Sequence, residues 1–180
     1  MENNNYLEID LKRKVYCNRT LNLKSIRAIG YDMDYTLIHY NVNEWETCSY
    51  EHLKKKLSEE HSLPVQHLVF DPSLVMQGLV IDIELGNLVK ANRFGFIKIA
   101  SHGTKMLSYD EQRKIYTRDL VDLSMERYQF LNTKFSISEA CMYAQLVDMV
   151  DAGELPKGIS YARLYRIVRK TINEAHIEGF

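Results

Sequence analysis

Residues 28–41, AIGYDMDYTLIHYN, place two aspartates one residue apart at the end of a short apolar run. Residues 26–32 are apolar and β-compatible, which is typical of a strand buried on both faces of a parallel sheet. Such a strand would bring Asp32 and Asp34 to the carboxyl edge of the sheet, where ligands of open α/β folds bind. The alternative interpretation is an ordinary polar turn, because aspartate is common in turns.

The spacing of the two carboxylates favours phosphate chemistry if a cation is present. Neighbouring carboxylates repel each other unless a cation or a shared proton compensates. Mg²⁺ suits this role because it prefers oxygen ligands and keeps waters and substrate phosphate in its shell. Asp32 would then attack phosphorus as a nucleophile. Asp34 would protonate the leaving oxygen and then activate water, while Thr36 would fix the turn through its hydroxyl.

Composition excludes several other classes of protein. The 180 residues are enough for one domain with a sizeable core. A formal net charge of −1 does not provide the concentrated basic face that nucleic acids and anionic membranes require. No apolar stretch approaches the roughly 20 residues of a membrane span. Three cysteines without metal-ligand spacing predict reduced, buried thiols. We therefore expect a cytoplasmic protein that binds neither nucleic acid nor membrane.

The middle of the chain predicts one helix followed by a β-meander. Apolar residues recur at helical spacing over residues 46–60. Residues 78–103, GLVIDIELGNLVKANRFGFIKIASHG, then predict three strands. Their turns are expected at residues 85–87 and 92–95, where glycine and asparagine tolerate positive φ.

Two further helices are predicted in the last third of the chain. Ser136 to Glu139 has the pattern of a capping box and introduces a helix that ends near Asp151. The second helix covers residues 160–178 and carries an apolar stripe on one side. Asp148 and Asp151 lie on the first of these helices, so we interpret them as structural or solvent-facing.

Together these elements predict an α/β protein with two parts. Residues 1–45 would begin a doubly wound α/β domain with one central parallel strand. Residues 46–180 would form an α+β insertion made of a helix, the meander and two helices. A doubly wound sheet needs several βαβ units, and only residues 26–32 match a central parallel strand. The remainder of the core is therefore expected to lie outside this chain.

Several stretches resemble a known family. DMDYTL resembles the first motif of the haloacid dehalogenase superfamily of phosphohydrolases, with Asp32 at the nucleophile position and Asp34 at the acid/base position. Four blocks resemble, in the same order, the amino-terminal part of the cytosolic purine 5'-nucleotidases that prefer IMP and GMP. These blocks are NRTLNLKSIRAIGYDMDYTLIHY, GLVIDIELGNLVKANRFGFIKIASHG, RYQFLNTKFSISEACMYAQLVD and SYARLYRIVRKTINEAHIEGF.

The resemblance implies a haloacid dehalogenase-type, Rossmann-like catalytic core that begins within residues 1–45, a cap insertion formed by residues 46–180, and a Mg²⁺-dependent reaction. Purine nucleoside 5'-monophosphates would be hydrolysed through an aspartyl-phosphate, with Asp32 and Asp34 also holding the metal. The partners it implies are purine nucleoside monophosphates, and a homo-oligomer is compatible with it. The superfamily's later motifs are a Ser or Thr, a lysine and a further acidic pair. Residues 1–180 offer no convincing match to these motifs, so the chain is expected to be catalytically incomplete.

The same resemblance implies residues that contact the nucleotide. Arg169, Asn173 and His176 are spaced i, i+4 and i+7, so they share one side of a helix. In the family this helix presents an arginine, an acidic residue and a histidine, and Asn173 departs from that pattern. Phe135 matches the aromatic on which the purine stacks, and Asn132 matches a residue of the family's effector site.

Each residue also has an ordinary structural interpretation. Arg169 would solvate an amphipathic helix, His176 would complement the helix dipole, and Phe135 would be a hydrophobic staple or part of the core. Two other functions remain open at this point. One is a non-catalytic nucleotide-binding or assembly module that lacks the later motifs, and the other is a different phosphatase of the same superfamily.

Overall fold

A computed structural model describes Thr20 and residues 22–76, 78–131 and 133–178. The chain divides into two compact units, Met1–His39 and Tyr40–Phe180. None of the described helices combines the length and the apolar character that crossing a membrane requires.

The described part of the first unit contains very little regular structure. A 3₁₀ turn covers Leu23–Ser25, and an isolated parallel bridge joins Asp34 to Ile38. Residues 26–32 form no ladder with any described strand, and Ile29 in their middle is 72% exposed. The predicted central parallel strand is therefore wrong for this structure. A buried strand needs hydrogen-bonding neighbours on both sides, and none of the described residues provides them here.

The second unit is built around a five-stranded antiparallel sheet with the strand order β4-β3-β2-β1-β5. The predicted meander is confirmed, because three of these strands and their turns fall within residues 78–103. The two outer strands were not predicted, since two or three residues are too short to show a period-2 pattern. The strands are β1 (Val80–Asp82), β2 (Asn87–Ala91), β3 (Ile97–His102), β4 (Lys105–Met106) and β5 (Tyr128–Phe130).

Four α-helices accompany the sheet in the described part of the chain, and the three predicted ones are confirmed. The helix that the sequence analysis missed has only eight residues. The sequence does contain a start signal for this helix, namely Ser108 followed three residues later by Glu111. The two residues form a reciprocal capping box, in which Ser108 N donates to Glu111 Oε2 at 2.8 Å. The helices are α1 (Val42–His61), α2 (Tyr109–Tyr116), α3 (Ile137–Asp151) and α4 (Tyr161–Glu178).

Alternating side chains of the sheet pack into two separate hydrophobic clusters. Ile81 and its cross-strand partner Leu88 belong to the main cluster, which they share with α1, α3 and α4. Val80 and Val89 point the other way and pack with Tyr116 of α2. This arrangement follows from the period of two along a strand. The sheet therefore packs against α3 on one face and against the short helix α2 on the other, and α1 and α4 pack against α3.

A buried polar chain fastens α2 to the second face of the sheet. Asp82 is fully buried, and Arg127 donates to it from Nε at 2.9 Å and from Nη2 at 2.7 Å. Tyr116 donates its hydroxyl to Asp82 at 2.9 Å and accepts a hydrogen bond from Asn87 Nδ2 at 2.7 Å. A buried carboxylate needs such partners, so these hydrogen bonds have a structural role.

The two described cysteines differ in burial. Cys141 lies in the main cluster, whereas Cys48 is exposed on α1. The expected burial of Cys48 is wrong because the buried side chains of α1 recur at Glu46, Tyr50 and Leu53, on the opposite side of the helix. Neither of these two thiols forms a disulfide.

Candidate functional site

The two aspartates of the first unit lie on an exposed turn. The carbonyl of Met33, between them, accepts a hydrogen bond from Ile38 N at 3.0 Å. Tyr35 adopts a left-handed conformation with φ of 60°, and its N–H donates to the Ile38 carbonyl at 2.9 Å. A tight turn thus follows Met33, and Asp32 and Asp34 are both exposed to solvent.

A hydroxyl of the same turn holds the first carboxylate. Thr36 Oγ1 donates to Asp32 Oδ2 at 3.4 Å, as expected for a threonine that fixes the turn. The oxygen donors of Asp32 and Asp34 have the chemistry that Mg²⁺ prefers. However, the described residues contain no group of three or more His, Cys, Asp or Glu side chains that could hold a metal ion. The two aspartates therefore fit part of a magnesium shell.

Four rings in the second unit form what we call the aromatic cluster: Tyr40, Trp45, Phe135 and His176. The rings of Trp45 and His176 are stacked, with centroids 6.2 Å apart and planes inclined by 10°. Trp45 meets Phe135 edge-on at 6.0 Å, and Tyr40 meets Phe135 edge-on at 5.1 Å. These are the favoured geometries for aromatic pairs. The fold thus brings together two residues that the sequence singled out, Phe135 and His176, and two that it did not.

The protonation of His176 argues against a role as a helix-terminal cation. Partial burial lowers the pKa of His176 below its usual 6.5, and the positive charge of Arg169 on the same helix lowers it further. The lowered pKa favours the neutral imidazole, and the ring stacks on Trp45.

Arg169 forms an ion pair with a buried carboxylate. Arg169 Nη1 donates to Glu139 Oε2 at 2.6 Å, and Glu139 is only 2% exposed, whereas 48% of the Arg169 side chain is exposed. Burial raises the pKa of Glu139, and the Arg169 guanidinium opposes this shift. Arg169 thus does more than solvate its helix. Glu139 fixes one edge of the guanidinium, and the rest of the group remains accessible for a ligand.

Glu46 is a buried carboxylate that the sequence analysis did not identify. It is 1% exposed, and its Oε2 accepts a hydrogen bond from Ser138 N at 2.6 Å. Burial raises the pKa of Glu46, and the Ser138 amide opposes the shift. Glu46 therefore caps the amino terminus of α3 from another helix. The predicted capping box at 136–139 is wrong, since the Ser136 side chain makes no cap bond and Glu139 instead pairs with Arg169.

The remaining predicted residues lie apart from these contacts or outside the described chain. Asn173 is exposed on α4, and Asn132 lies outside the described residues. Asp148 accepts a hydrogen bond from Thr104 Oγ1 at 2.5 Å, and Asp151 accepts one from Tyr161 OH at 2.5 Å. The structural interpretation of Asp148 and Asp151 is therefore confirmed. Both carboxylates line a cavity of about 750 Å³, but each already accepts a hydrogen bond from a neighbouring side chain.

Comparison with known proteins identifies the family. A model of the 5' nucleotidase family matches residues 15–180. The 5'-nucleotidase domain-containing protein 1 of Bos taurus is 30% identical over 138 residues, which cover 70% of this chain and 30% of that protein. The Homo sapiens protein of the same name is 29% identical over 138 residues, with the same coverage. The chain thus spans 30% of the length of these curated relatives. The resemblance predicted from the sequence is confirmed at this level, and the chain belongs to the 5' nucleotidase family.

Proposed function

We propose that this chain serves the hydrolysis of purine nucleoside 5'-monophosphates, with IMP and GMP as substrates. The observation that carries the proposal is the family match over residues 15–180, which includes both the aspartate turn and the helix of Arg169 and His176. Membership of the 5' nucleotidase family supports nucleoside monophosphate hydrolysis. The aromatic cluster supports a substrate that carries a base, because aromatic rings bind a flat base by stacking, and the purine is what the family resemblance implies.

The chemical steps that we assign to the turn involve Asp32, Asp34 and a water molecule. An oxygen of Asp32 attacks phosphorus, and the bond from phosphorus to the nucleoside 5'-oxygen breaks. Asp34 gives a proton to that oxygen, so the nucleoside leaves as an alcohol. Asp34 then takes a proton from water, and the resulting hydroxide attacks the aspartyl-phosphate. The bond between Asp32 and phosphorus breaks, and inorganic phosphate is released.

We also propose Mg²⁺ as the cofactor, held in part by Asp32 and Asp34. When bound, the ion would neutralise charge on the phosphate oxygens. Thr36 keeps the Asp32 carboxylate oriented through its hydrogen bond. A haloacid dehalogenase-type core, a cytoplasmic location and a homo-oligomer stay predictions.

The test replaces the nucleophile in the natural protein that carries this sequence. Asp32→Asn keeps the size of the side chain but removes its nucleophilic charge. The rate of IMP hydrolysis should therefore fall by about 10³-fold or more, while the circular dichroism spectrum stays unchanged. The matched control is Asp110→Asn, which removes an exposed aspartate of α2 and should leave turnover intact. Wild-type turnover in Asp32→Asn would contradict the proposal.

A second candidate function is nucleotide binding without turnover. It is favoured by one observation, namely that the described residues offer no carboxylate cluster of three or more. Under this alternative, the 180-residue chain binds IMP through the second unit and releases no phosphate. A phosphate-release assay on the same sample used for a binding titration separates the two functions.

A further inference from the structure

The aromatic cluster contains a tryptophan that the family resemblance did not assign to any role. Trp45 lies in the first turn of α1 and is 37% exposed, whereas Tyr50, Leu53 and Leu57 of the same helix are fully buried. A core tryptophan would follow the buried side of the helix. Trp45 instead lies beside that side and contributes a large, partly open indole surface.

The surroundings of Trp45 match the requirements of a flat, conjugated ligand. One neighbour is the imidazole of His176, parallel to the indole within 10°. Another is Phe135, which meets the indole edge-on at a centroid distance of 6.0 Å. Arg169 lies on the same helix as His176, and its half-exposed side chain is held by Glu139 of α3. The planar fork of donors of its guanidinium can bind the polar edge of a base. The second unit therefore provides ring faces and hydrogen-bond donors together.

We infer that Trp45 is a specificity-determining residue, and that its indole contacts the purine base of the bound nucleotide. This inference rests on the proposed function, because it adds one further aromatic residue to the nucleotide-contacting residues that the family resemblance implies, among them Phe135, Arg169 and His176. The ligand class is a purine nucleoside monophosphate. Stacking on a tryptophan does not depend on the substituents of the ring, so Trp45 selects for a base and Arg169 reads its edge.

The chain carries its own probe for this contact, because Trp45 is its single tryptophan. We would titrate the 180-residue chain with IMP, following tryptophan emission and, in parallel, the heat of binding. Emission should change with the same saturation curve as the heat. Ribose 5-phosphate, which has no base, should leave the emission unchanged.

Variants then test whether the contact contributes to affinity. Trp45→Ala should weaken IMP binding by about 5- to 100-fold, the range of a single base–aromatic contact. Trp45→Phe keeps an aromatic face and should stay much closer to wild type. The matched control is Tyr109→Ala, which removes an aromatic side chain that is 72% exposed at the start of α2 and should not change affinity.

The outcomes separate this inference from the function on which it rests. If the wild-type chain takes up no IMP by calorimetry, the base site itself is wrong and the inference fails with it. If IMP binds but the emission stays constant, only the role of Trp45 is wrong. The same holds if Trp45→Ala is folded and binds IMP as tightly as wild type. The emission test needs no variant, so it decides the matter even if Trp45→Ala does not fold.

Discussion

At the residue scale, the carboxyl group of Glu46 stabilises the folded chain when it is protonated and destabilises it when it is ionised. Its carboxyl group caps α3 through Ser138 N but is almost completely removed from water. Burial therefore raises its pKa above the ordinary value of 4.5, and the nearby Glu139 charge adds to the effect of burial. A carboxyl group with a raised pKa binds a proton more readily in the folded chain than in the unfolded chain. Its contribution to stability is thus lost as the pH rises from 4.5 through the folded pKa.

Glu46→Gln should therefore raise the free energy of unfolding at neutral pH. Glutamine keeps an oxygen acceptor for Ser138 N but carries no charge. A difference of one between the folded and unfolded pKa corresponds to about 1.4 kcal/mol. Urea titrations across the pH range should show the gain at neutral pH and its disappearance below pH 4.5. The matched control is Glu59→Gln, which also removes one negative charge but from an exposed position of α1. A variant that is less stable than wild type at neutral pH would contradict this view of Glu46.

Single residues were the least predictable part of the site. Asp32, Asp34, Arg169, Phe135 and His176 were chosen by motif and by family resemblance. Their partners could not be chosen in this way, because a hydrogen bond between two helices leaves no local pattern in either one. One signal was available. Glu46 lies four residues before Tyr50 on the apolar stripe of α1, where a glutamate is unexpected unless it has a partner.

At the scale of elements, the hairpin between β3 and β4 is fixed by a close contact with α3. Gly103 begins its two-residue turn with φ of +53°, and a Cβ built there would lie 2.0 Å from Asp148 Oδ1. The same carboxylate accepts hydrogen bonds from Thr104 N and Thr104 Oγ1. Two constraints thus require glycine at position 103: the positive φ and the close approach of α3.

Gly103→Ala should destabilise the protein by more than the conformational cost alone. That cost is about 1–2 kcal/mol for an L-residue in the left-handed region. Displacing Asp148 should add about 1 kcal/mol or more, because Thr104 loses its acceptor. Gly153→Ala is the matched control, since Gly153 has φ of +73° and nothing within 4 Å of its Cβ position. Equal loss of unfolding free energy in the two variants, measured by urea titration, would mean that the contact with Asp148 adds nothing.

Elements with a long, regular pattern were predicted correctly, and those defined by distant partners were not. The helices α1, α3 and α4 and the meander show their periods within the segment itself. Residues 26–32 have the composition of a buried strand, but a strand is completed by its neighbours, and composition does not reveal whether these are present. The same reason explains why β5 was missed, since its only described strand partner, β1, lies more than forty residues earlier.

At the scale of the whole molecule, the order of the sequence blocks was more informative than any single motif. The aspartate motif alone matches both a turn and an active site. The four blocks together predicted the family that the comparison found over residues 15–180. What the blocks could not provide is the path of the chain in the first unit, because the described residues 22–39 contain neither a helix longer than one turn nor a ladder strand.

The second unit has the features of an independently folding body. The described buried members of both hydrophobic clusters lie within residues 50–172. All five described strands of the sheet belong to this unit, and side chains of the same unit cover both faces. A body that supplies its own core can fold without the rest of the chain.

A chain that begins at Tyr40 should therefore unfold cooperatively, with a midpoint close to that of the 180-residue chain. We expect a difference within about 2–4 °C, which corresponds to roughly 1 kcal/mol in a protein of this size. The matched control begins at residue 62 and lacks α1. It removes Tyr50, Leu53 and Leu57, which are fully buried, and should show no cooperative transition by calorimetry. If the chain from Tyr40 also lost its transition, residues 1–39 would have to contribute to the core, and the second unit would not be an independent body.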